Sequence, residues 1–272
     1  MNPAERIIVA LDCPRKEALE LADCLQGEAT WLKVGMTLYY AEGPAIIREL
    51  KERGYKVFVD LKFHDIPHQV KGAAASVVNA GADMFTVHAS GGREMLKAAL
   101  AGAQEAYAQK HPADADKSDD DKPKVIAITV LTSMDTHAMQ QVGITRSVLE
   151  QVDSLAMAAV FNGLDGVVAS AKEAQNLRTM LGKDALIVTP GIRPAGTDPD
   201  DQKRVATPAQ ALMDGASYLV IGRPITKASD PRAAFMQICE EIRSTLDEQG
   251  FHDPDGDPGD TKKYPSDTFW TF

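Results

Sequence analysis

Cysteine and long apolar runs are both scarce in this sequence of 272 residues. The three cysteines are odd in number and have no metal-like spacing, so we expect reduced thiols rather than a disulfide framework or a zinc site. No apolar run approaches the roughly 18 residues of a transmembrane helix, so no membrane partner is expected. The apolar run at 7–11 ends at Asp12 and is too short for the core of a signal peptide. We therefore expect a cytoplasmic protein.

Basic residues are also in deficit, with 29 lysines and arginines against 39 aspartates and glutamates and a net charge of −10. Proteins that bind DNA or RNA neutralise phosphates with basic side chains, so this balance predicts no nucleic-acid partner. Two segments, 112–123 and 250–272, each contain five acids and two lysines and so carry −3 each. The remaining −4 leaves room for a small basic pocket in the rest of the chain.

Eight short apolar runs alternate with stretches of helical periodicity. The runs suit strands buried on both faces of a parallel sheet, and they cover 6–12, 31–36, 56–62, 84–90, 124–131, 166–170, 186–192 and 218–224. The helical stretches cover 15–25, 43–53, 69–80, 92–110, 147–162, 171–181, 207–214 and 231–246.

This alternation predicts an α/β protein of the TIM-type (β/α)8 barrel class. We expect a single domain over 1–249, with an acidic loop at 112–123 and an acidic Pro/Gly-rich tail at 250–272. A doubly wound open sheet is the alternative that periodicity leaves open.

Charged residues stand at the carboxyl ends of the first three predicted strands, where barrels of this class carry their active sites. Asp60 and Lys62 are two residues apart in the third strand, so they are predicted to share the face that points into the barrel mouth. Asp12 ends the first strand, Lys33 lies in the second, and Asp65 follows a tight turn after the third. A structural ion-pair network is the alternative, but several acids and two lysines at one mouth favour a functional site.

The last two strands both lead into glycine, arginine and proline. Arg193 follows the seventh strand, and Gly222 with Arg223 follows the eighth, at the usual phosphate site of such barrels. Glycine lets backbone N–H groups approach an anion, and arginine offers a planar donor fork. Gln202, on the loop after the seventh strand, could fold over a ligand. We therefore expect a small phosphorylated substrate; surface arginines are the alternative.

A metal site is not expected. The spacing of Asp60, His64 and His88 matches no metal-binding motif. A lysine within two residues of each candidate acid would also repel a divalent cation.

Together these residues resemble the orotidine 5′-phosphate decarboxylase family, over nearly the whole chain from Val9 to Pro231. The most specific stretch is 60–67, which reads DLKFHDIP. Further matching stretches are 32–35, 87–92, 129–134, 163–168, 189–194, 201–204 and 221–224.

The resemblance implies a cofactor-free conversion of orotidine 5′-phosphate to UMP and carbon dioxide, the last step of de novo pyrimidine synthesis. It implies that Lys62 donates a proton to C6, that Asp60 lies near the departing carboxylate, and that Lys33 and Asp65 complete an alternating array. It also implies a homodimer in which Asp65 serves the neighbouring subunit's site. The residues implied to bind substrate are Asp12, Lys33, Asp60, Ile66, Gln69, Thr132, Arg193, Gln202, Gly222 and Arg223.

One position departs from the family. Gln69 stands where the family commonly has a threonine near the partner's ribose, although glutamine can still donate and accept hydrogen bonds.

Two other functions remain as alternatives. One is a magnesium-dependent phosphosugar aldolase or decarboxylase of the same barrel group, which carries an acid near the end of strand two, where this chain has Lys33. The other is a non-catalytic phosphate-binding barrel, which we would expect to have lost Lys62 or an aspartate of the array. Neither loss is present in the sequence.

Overall fold

The structure is a computed structural model that describes residues 2–112, 122–194 and 206–250. Most of the acidic loop predicted at 112–123, nearly all of the tail predicted at 250–272, and Gln202 lie outside the described residues. Within these ranges, no helix is both long enough and apolar enough to cross a membrane.

Eight parallel strands close into a barrel in chain order, with the last strand paired to the first. They are β1 Ile7–Ala10, β2 Trp31–Gly35, β3 Lys56–Phe63, β4 Met84–His88, β5 Lys124–Ile128, β6 Gly166–Val168, β7 Leu186–Thr189 and β8 Tyr218–Ile221. The predicted (β/α)8 barrel is confirmed, and the open doubly wound sheet is excluded.

Seven of the eight predicted strands run one to three residues past the observed carboxyl ends, so those predicted ends are wrong. The end of β8 shows the reason. Gly222 leaves the extended conformation, with φ −108° and ψ −104°, and Pro224 has no N–H to donate to a neighbouring strand. After Ile221 the chain therefore turns out of the sheet. Only β3 continues beyond its predicted end, to Phe63.

Twelve α-helices lie within the described residues. They are α1 Pro3–Arg6, α2 Arg15–Leu25, α3 Met36–Glu42, α4 Ala45–Glu52, α5 Pro67–Ala80, α6 Gly92–Lys110, α7 Thr136–Gln141, α8 Val148–Phe161, α9 Ala171–Leu181, α10 Pro208–Met213, α11 Arg223–Thr226 and α12 Pro231–Glu248. The predicted bounds of α2, α6 and α9 are confirmed.

The predicted helix 43–53 corresponds to α4, which begins two residues later, and the preceding helix α3 was not predicted. Gly43 ends α3 with a φ of 66°, a left-handed value that glycine tolerates, and Pro44 precedes α4. Only Leu38 of α3 is buried, so its sequence lacks the apolar stripe from which a helix is predicted.

Strand side chains alternate between two apolar clusters. Val57 and Val59 pack in the cluster shared with the helices, whereas Phe58 packs in the cluster formed by the strands alone. The latter fills the barrel interior and contains Ile8, Trp31, Phe58, Met84, Ile126 and Val188. Asp60 follows Phe58 by two residues, so the alternation directs it to the inner face near the carboxyl edge, as predicted.

The opposite, amino-terminal edge of the barrel is built from a repeated unit. Before β4, β6 and β8 the chain reads Gly-x-Asp or Gly-x-Ser, and the third residue exchanges two hydrogen bonds with the preceding strand in sequence. Asp83 donates its N–H to the Val57 carbonyl at 3.0 Å, and its carboxylate accepts the Val57 N–H at 2.7 Å. The three reciprocal pairs are Asp83 with Val57, Asp165 with Val125 and Ser217 with Ile187.

Candidate active site

Four charged side chains from neighbouring strands meet at the carboxyl edge of the barrel. Lys33 Nζ lies 2.8 Å from Asp12 Oδ1 and 3.8 Å from Asp60 Oδ2. Lys62 Nζ lies 2.9 Å from both carboxylate oxygens of Asp60. Asp12, Lys33, Asp60 and Lys62 thus form a row of alternating charge, which we call the mouth array.

Burial and neighbouring charge shift the pKa of Asp60, whose side chain is 14% exposed, in opposite directions. Burial by itself would raise the pKa of this carboxyl group. The charges of Lys33 and Lys62 outweigh burial, with help from hydrogen bonds donated by Lys62 and Thr86. The pKa of Asp60 is therefore lowered, and the group is an anion at neutral pH.

The backbone at Lys62 is unusual. Its φ is 54°, and no other non-glycine residue in the described ranges has a positive φ. This left-handed conformation is unfavourable for a residue with a Cβ atom, and such outliers cluster at functional sites. The pairing of β3 with β4 shifts register between Val59 and Phe63. The prediction that Lys62 lies beside Asp60 because of regular strand alternation is therefore wrong in its reason. The two side chains nevertheless meet.

Thr86, in the middle of β4, was missed by the sequence reasoning. It is fully buried, accepts the Lys62 N–H at 2.9 Å and donates to Asp60 Oδ1 at 3.0 Å. A single threonine in an apolar strand gives no distinctive signal, because threonine is common in strands.

Gly35, the last residue of β2, was also missed. A Cβ atom at this position would lie 2.7 Å from Asp12 Oδ1 and 3.0 Å from Lys33 Nζ. Both distances are too short for ordinary contact, so a Cβ atom here would displace the ends of these two side chains from their observed positions. The sequence signal was the glycine that directly follows Leu32, Lys33 and Val34.

Two histidines stack beside the array, with the ring centres of His64 and His88 5.2 Å apart. Burial lowers the pKa of His88, and the charges of His64 and Lys62 lower it further. No group of three or more His, Cys, Asp or Glu in the described part of the chain is arranged to hold a metal ion.

Four predicted site residues form no hydrogen bond or ion pair with the mouth array within the described residues. Asp65, Ile66 and Gln69 are exposed in the turn after β3 and at the start of α5, and Thr132 is half-buried in the turn after β5. Asp65 forms no ion pair within the described residues; its carboxylate accepts the Ile66 N–H at 2.6 Å. The structure therefore leaves the Asp65 side chain on the surface of the subunit.

The residues predicted to bind phosphate follow β7 and β8, which are adjacent in the barrel. Arg193 is only 8% exposed and donates from Nη1 to the Ile192 carbonyl at 3.0 Å, so the alternative that it is a surface arginine is wrong. Arg223 is exposed and begins α11, with Gly222 immediately before it. Gln202 lies outside the described residues.

A closed (β/α)8 barrel with a row of alternating charge at the carboxyl edge of its strands has the architecture of a barrel enzyme, because this edge carries the active site in that class. The model of the family described as "Orotidine 5'-phosphate decarboxylase / HUMPS family" matches residues 5–238. The chain belongs to this family.

Individual relatives are similar over most of their length. The chain is 53% identical over 245 residues to orotidine 5′-phosphate decarboxylase of Moorella thermoacetica, covering 89% of this chain and 94% of the relative. It is 48% identical over 238 residues to the enzyme of the same name from Nitrosococcus oceani, covering 87% and 97%. The crystal structure of orotidine 5′-phosphate decarboxylase from Lactobacillus acidophilus aligns with a TM-score of 0.75 and 38% identity, covering 88% of this chain and 99% of that one.

Proposed function

We propose that this protein decarboxylates orotidine 5′-phosphate to UMP and carbon dioxide, the last step of de novo pyrimidine synthesis, without a cofactor. The observation that carries the proposal is the mouth array, in which Lys62 is held 2.9 Å from both oxygens of Asp60. The relatives named above support the choice of substrate.

Lys62 is the proposed acid. When the bond from C6 to the carboxylate breaks, its electron pair stays on C6, which has no adjacent carbonyl group to delocalise it. A fixed ammonium group stabilises that charge without reorganising at the moment of reaction. The Lys62 ammonium then donates a proton to C6, which gives UMP, and recovers a proton from solvent.

The rest of the array holds this ammonium group in place. Asp60 holds Lys62 and lies near the departing carboxylate. Lys33, buried between Asp60 and Asp12, neutralises both acids and, with Asp12, binds the ribose hydroxyls. Because the pKa of Asp60 is lowered, the Lys62 ammonium retains its anionic partner throughout the neutral pH range.

The phosphate of the substrate binds to Arg223 and the Gly222 backbone, with Arg193 nearby and Gln202 closing over it. Thr132 contacts the pyrimidine from the turn after β5. Binding energy from this remote phosphate can then assist closure over the reacting ring.

The homodimer completes the site. Asp65 is exposed beside Ile66 and forms no ion pair with the array within the described residues, which supports a role in the neighbouring subunit's site. Ile66 and Gln69 accompany it there, with Gln69 in the place of the family threonine. The three cysteines are free thiols, which supports the expected cytoplasmic location.

The assay for this function uses the full-length purified protein with orotidine 5′-phosphate, and it follows UMP by chromatography with and without EDTA. We expect UMP to form at the same rate in both samples. Absence of UMP would disprove the proposal, and activity that depends on added magnesium would favour a magnesium-dependent phosphosugar enzyme instead.

A further inference from the structure

Thr86 connects two parts of the mouth array from a strand that contributes no charged residue to it. Its hydroxyl oxygen accepts the backbone N–H of Lys62 at 2.9 Å, and its hydroxyl proton is donated to Asp60 Oδ1 at 3.0 Å. A threonine hydroxyl has a single proton, so this pair of bonds fixes its orientation. Thr86 is completely buried, so water does not compete for either bond.

The first of these bonds lies where the backbone pairing of β3 with β4 is interrupted. Phe58 and Val59 of β3 pair in register with β4, and the pairing resumes only at Phe63. Lys62 lies inside this interruption with its left-handed φ of 54°. A backbone N–H that is not paired in the sheet needs another acceptor, and the buried Thr86 hydroxyl supplies it.

The second bond acts on the carboxylate that holds the Lys62 ammonium. Asp60 Oδ1 accepts a hydrogen bond from Thr86 on one side and faces Lys62 Nζ on the other. This limits rotation of the carboxylate, which keeps both of its oxygens 2.9 Å from that Nζ atom.

We propose that Thr86 is a positioning residue that holds the backbone of Lys62 and the carboxylate of Asp60 together through one buried hydroxyl. This inference rests on the proposed function, in which Lys62 is the proton donor. It assigns a role in catalysis to a side chain that need not touch the substrate.

The first experiment compares Thr86→Val, which keeps the shape but removes the hydroxyl, with Thr86→Ser, which keeps the hydroxyl. We expect Thr86→Val to lower kcat roughly 10- to 100-fold, because a small misplacement of the proton donor can slow the chemical step by up to about 10²-fold. We expect Thr86→Ser to remain within about threefold of the natural protein. The dissociation constant for UMP, which reports phosphate binding, should change less than about threefold in both variants.

The matched control is Ser217→Ala at the other edge of the barrel. Ser217 is also buried, and its hydroxyl also accepts a backbone N–H of a neighbouring strand, that of Ile187 at 3.0 Å. We expect this variant to be less stable to urea with unchanged kcat. An equal loss of kcat in Thr86→Val and Thr86→Ser, or normal kcat in Thr86→Val, would overturn the proposal.

A second measurement does not depend on activity. Crystal structures of Thr86→Val and Thr86→Ser should show that Lys62 leaves the left-handed region, or that its Nζ moves away from Asp60, only in the valine variant. Unchanged geometry in the valine variant would overturn the positioning role, even if the protein proved inactive on orotidine 5′-phosphate. If Thr86→Val does not fold, Thr86→Cys, whose thiol is a weaker hydrogen-bonding group, replaces it in both measurements.

Discussion

The two edges of the barrel use similar side chains in different ways. At the amino-terminal edge, three reciprocal pairs repeat one arrangement, in which a side-chain oxygen accepts a backbone N–H of a neighbouring strand. At the carboxyl edge, Asp60 instead forms ion pairs with two lysines and accepts a hydrogen bond from a threonine hydroxyl. One of those lysines, Lys62, has a left-handed backbone conformation. At the amino-terminal edge, each of the three side chains is hydrogen-bonded within its own reciprocal pair, whereas the mouth array brings four charged side chains together.

The pKa shifts of two aspartates, one at each edge, illustrate this difference. Burial raises the pKa of Asp165 at the amino-terminal edge, and its bond from the Val125 N–H and the charge of Lys124, 3.7 Å away, only partly oppose it. Burial acts in the same direction on Asp60, but two lysines reverse the result. The lysines at the mouth thus favour the anionic form of Asp60, whereas burial outweighs the groups that favour the anionic form of Asp165.

The largest expected effect comes from removing Lys62 at the mouth, with removal of a lysine at the other edge as the control. Lys62→Ala should lower kcat by about 10⁴-fold or more, because the proton donor and its charge are both lost, while UMP binding is largely retained. Lys51→Ala is the control, since Lys51 also pairs with an aspartate, Asp83 at 2.7 Å, but at the amino-terminal edge. Its kcat should stay within about twofold in steady-state assays. Near-normal turnover of Lys62→Ala would contradict the role of Lys62.

The next effect concerns the one acid of the predicted array that lies on the surface. Asp65→Asn should lower kcat/KM by roughly 10²–10³-fold, because in the proposed dimer Asp65 supplies a charge to the neighbouring subunit's site. Heterodimers of Asp65→Asn with Lys62→Ala should regain activity far above either parent, since one of their two sites has both residues intact. Purified heterodimers that remain inactive would argue against shared sites.

A smaller effect is expected from adding one methyl group at the mouth. Gly35→Ala would bring Cβ within 2.7 Å of Asp12 Oδ1, so the array must shift, and we expect kcat/KM to fall roughly 10- to 100-fold. Gly72→Ala in α5 is the control, because nothing lies within 4 Å of its added Cβ. The free energy of unfolding of this variant, measured by thermal denaturation, should be about 0.5–1 kcal/mol higher than that of the natural protein. Its activity should be normal. Unchanged kinetics in Gly35→Ala would show that the array tolerates displacement.

The smallest effect is the pH dependence of stability, which should have opposite signs at the two edges. The pKa of Asp60 is lowered on folding, so its stabilisation is present above the ordinary value of 3.8 and is lost as pH falls through the lower folded pKa. The pKa of Asp165 is raised, so its contribution is present below 3.8 and is lost as pH rises through the higher folded pKa.

Urea unfolding at a series of pH values between about 3 and 6 tests this contrast. Relative to the natural protein, Asp60→Asn should flatten the rise in unfolding free energy with pH, and Asp165→Asn should steepen it. The amide introduced by Asp165→Asn retains an oxygen for the Val125 N–H, which makes the second variant a clean charge removal. Slopes that change in the same direction would contradict the comparison.

Periodicity predicted all eight strands and the bounds of α2, α6 and α9, because apolar spacing directly reflects which faces are buried. It failed at α3, where one buried residue leaves no stripe, and at strand ends such as that of β8, where Gly222 leaves the extended conformation. Within the site, charged residues at strand ends were sufficient to predict that Lys33, Asp60 and Lys62 meet. Gly35 and Thr86 could not be found in this way, because their importance depends on contacts across strands.

The sequence by itself determined the barrel, the carboxyl edge as the place of the site, and the charges gathered there, since each follows from local alternation of residue types. Only the tertiary structure decided how those charges are held. The left-handed Lys62, the hydroxyl of Thr86 and the missing side chain at Gly35 act through atoms from three different strands. Which strands face each other, and at what register, is a property of the closed sheet, so no single stretch of sequence contains it.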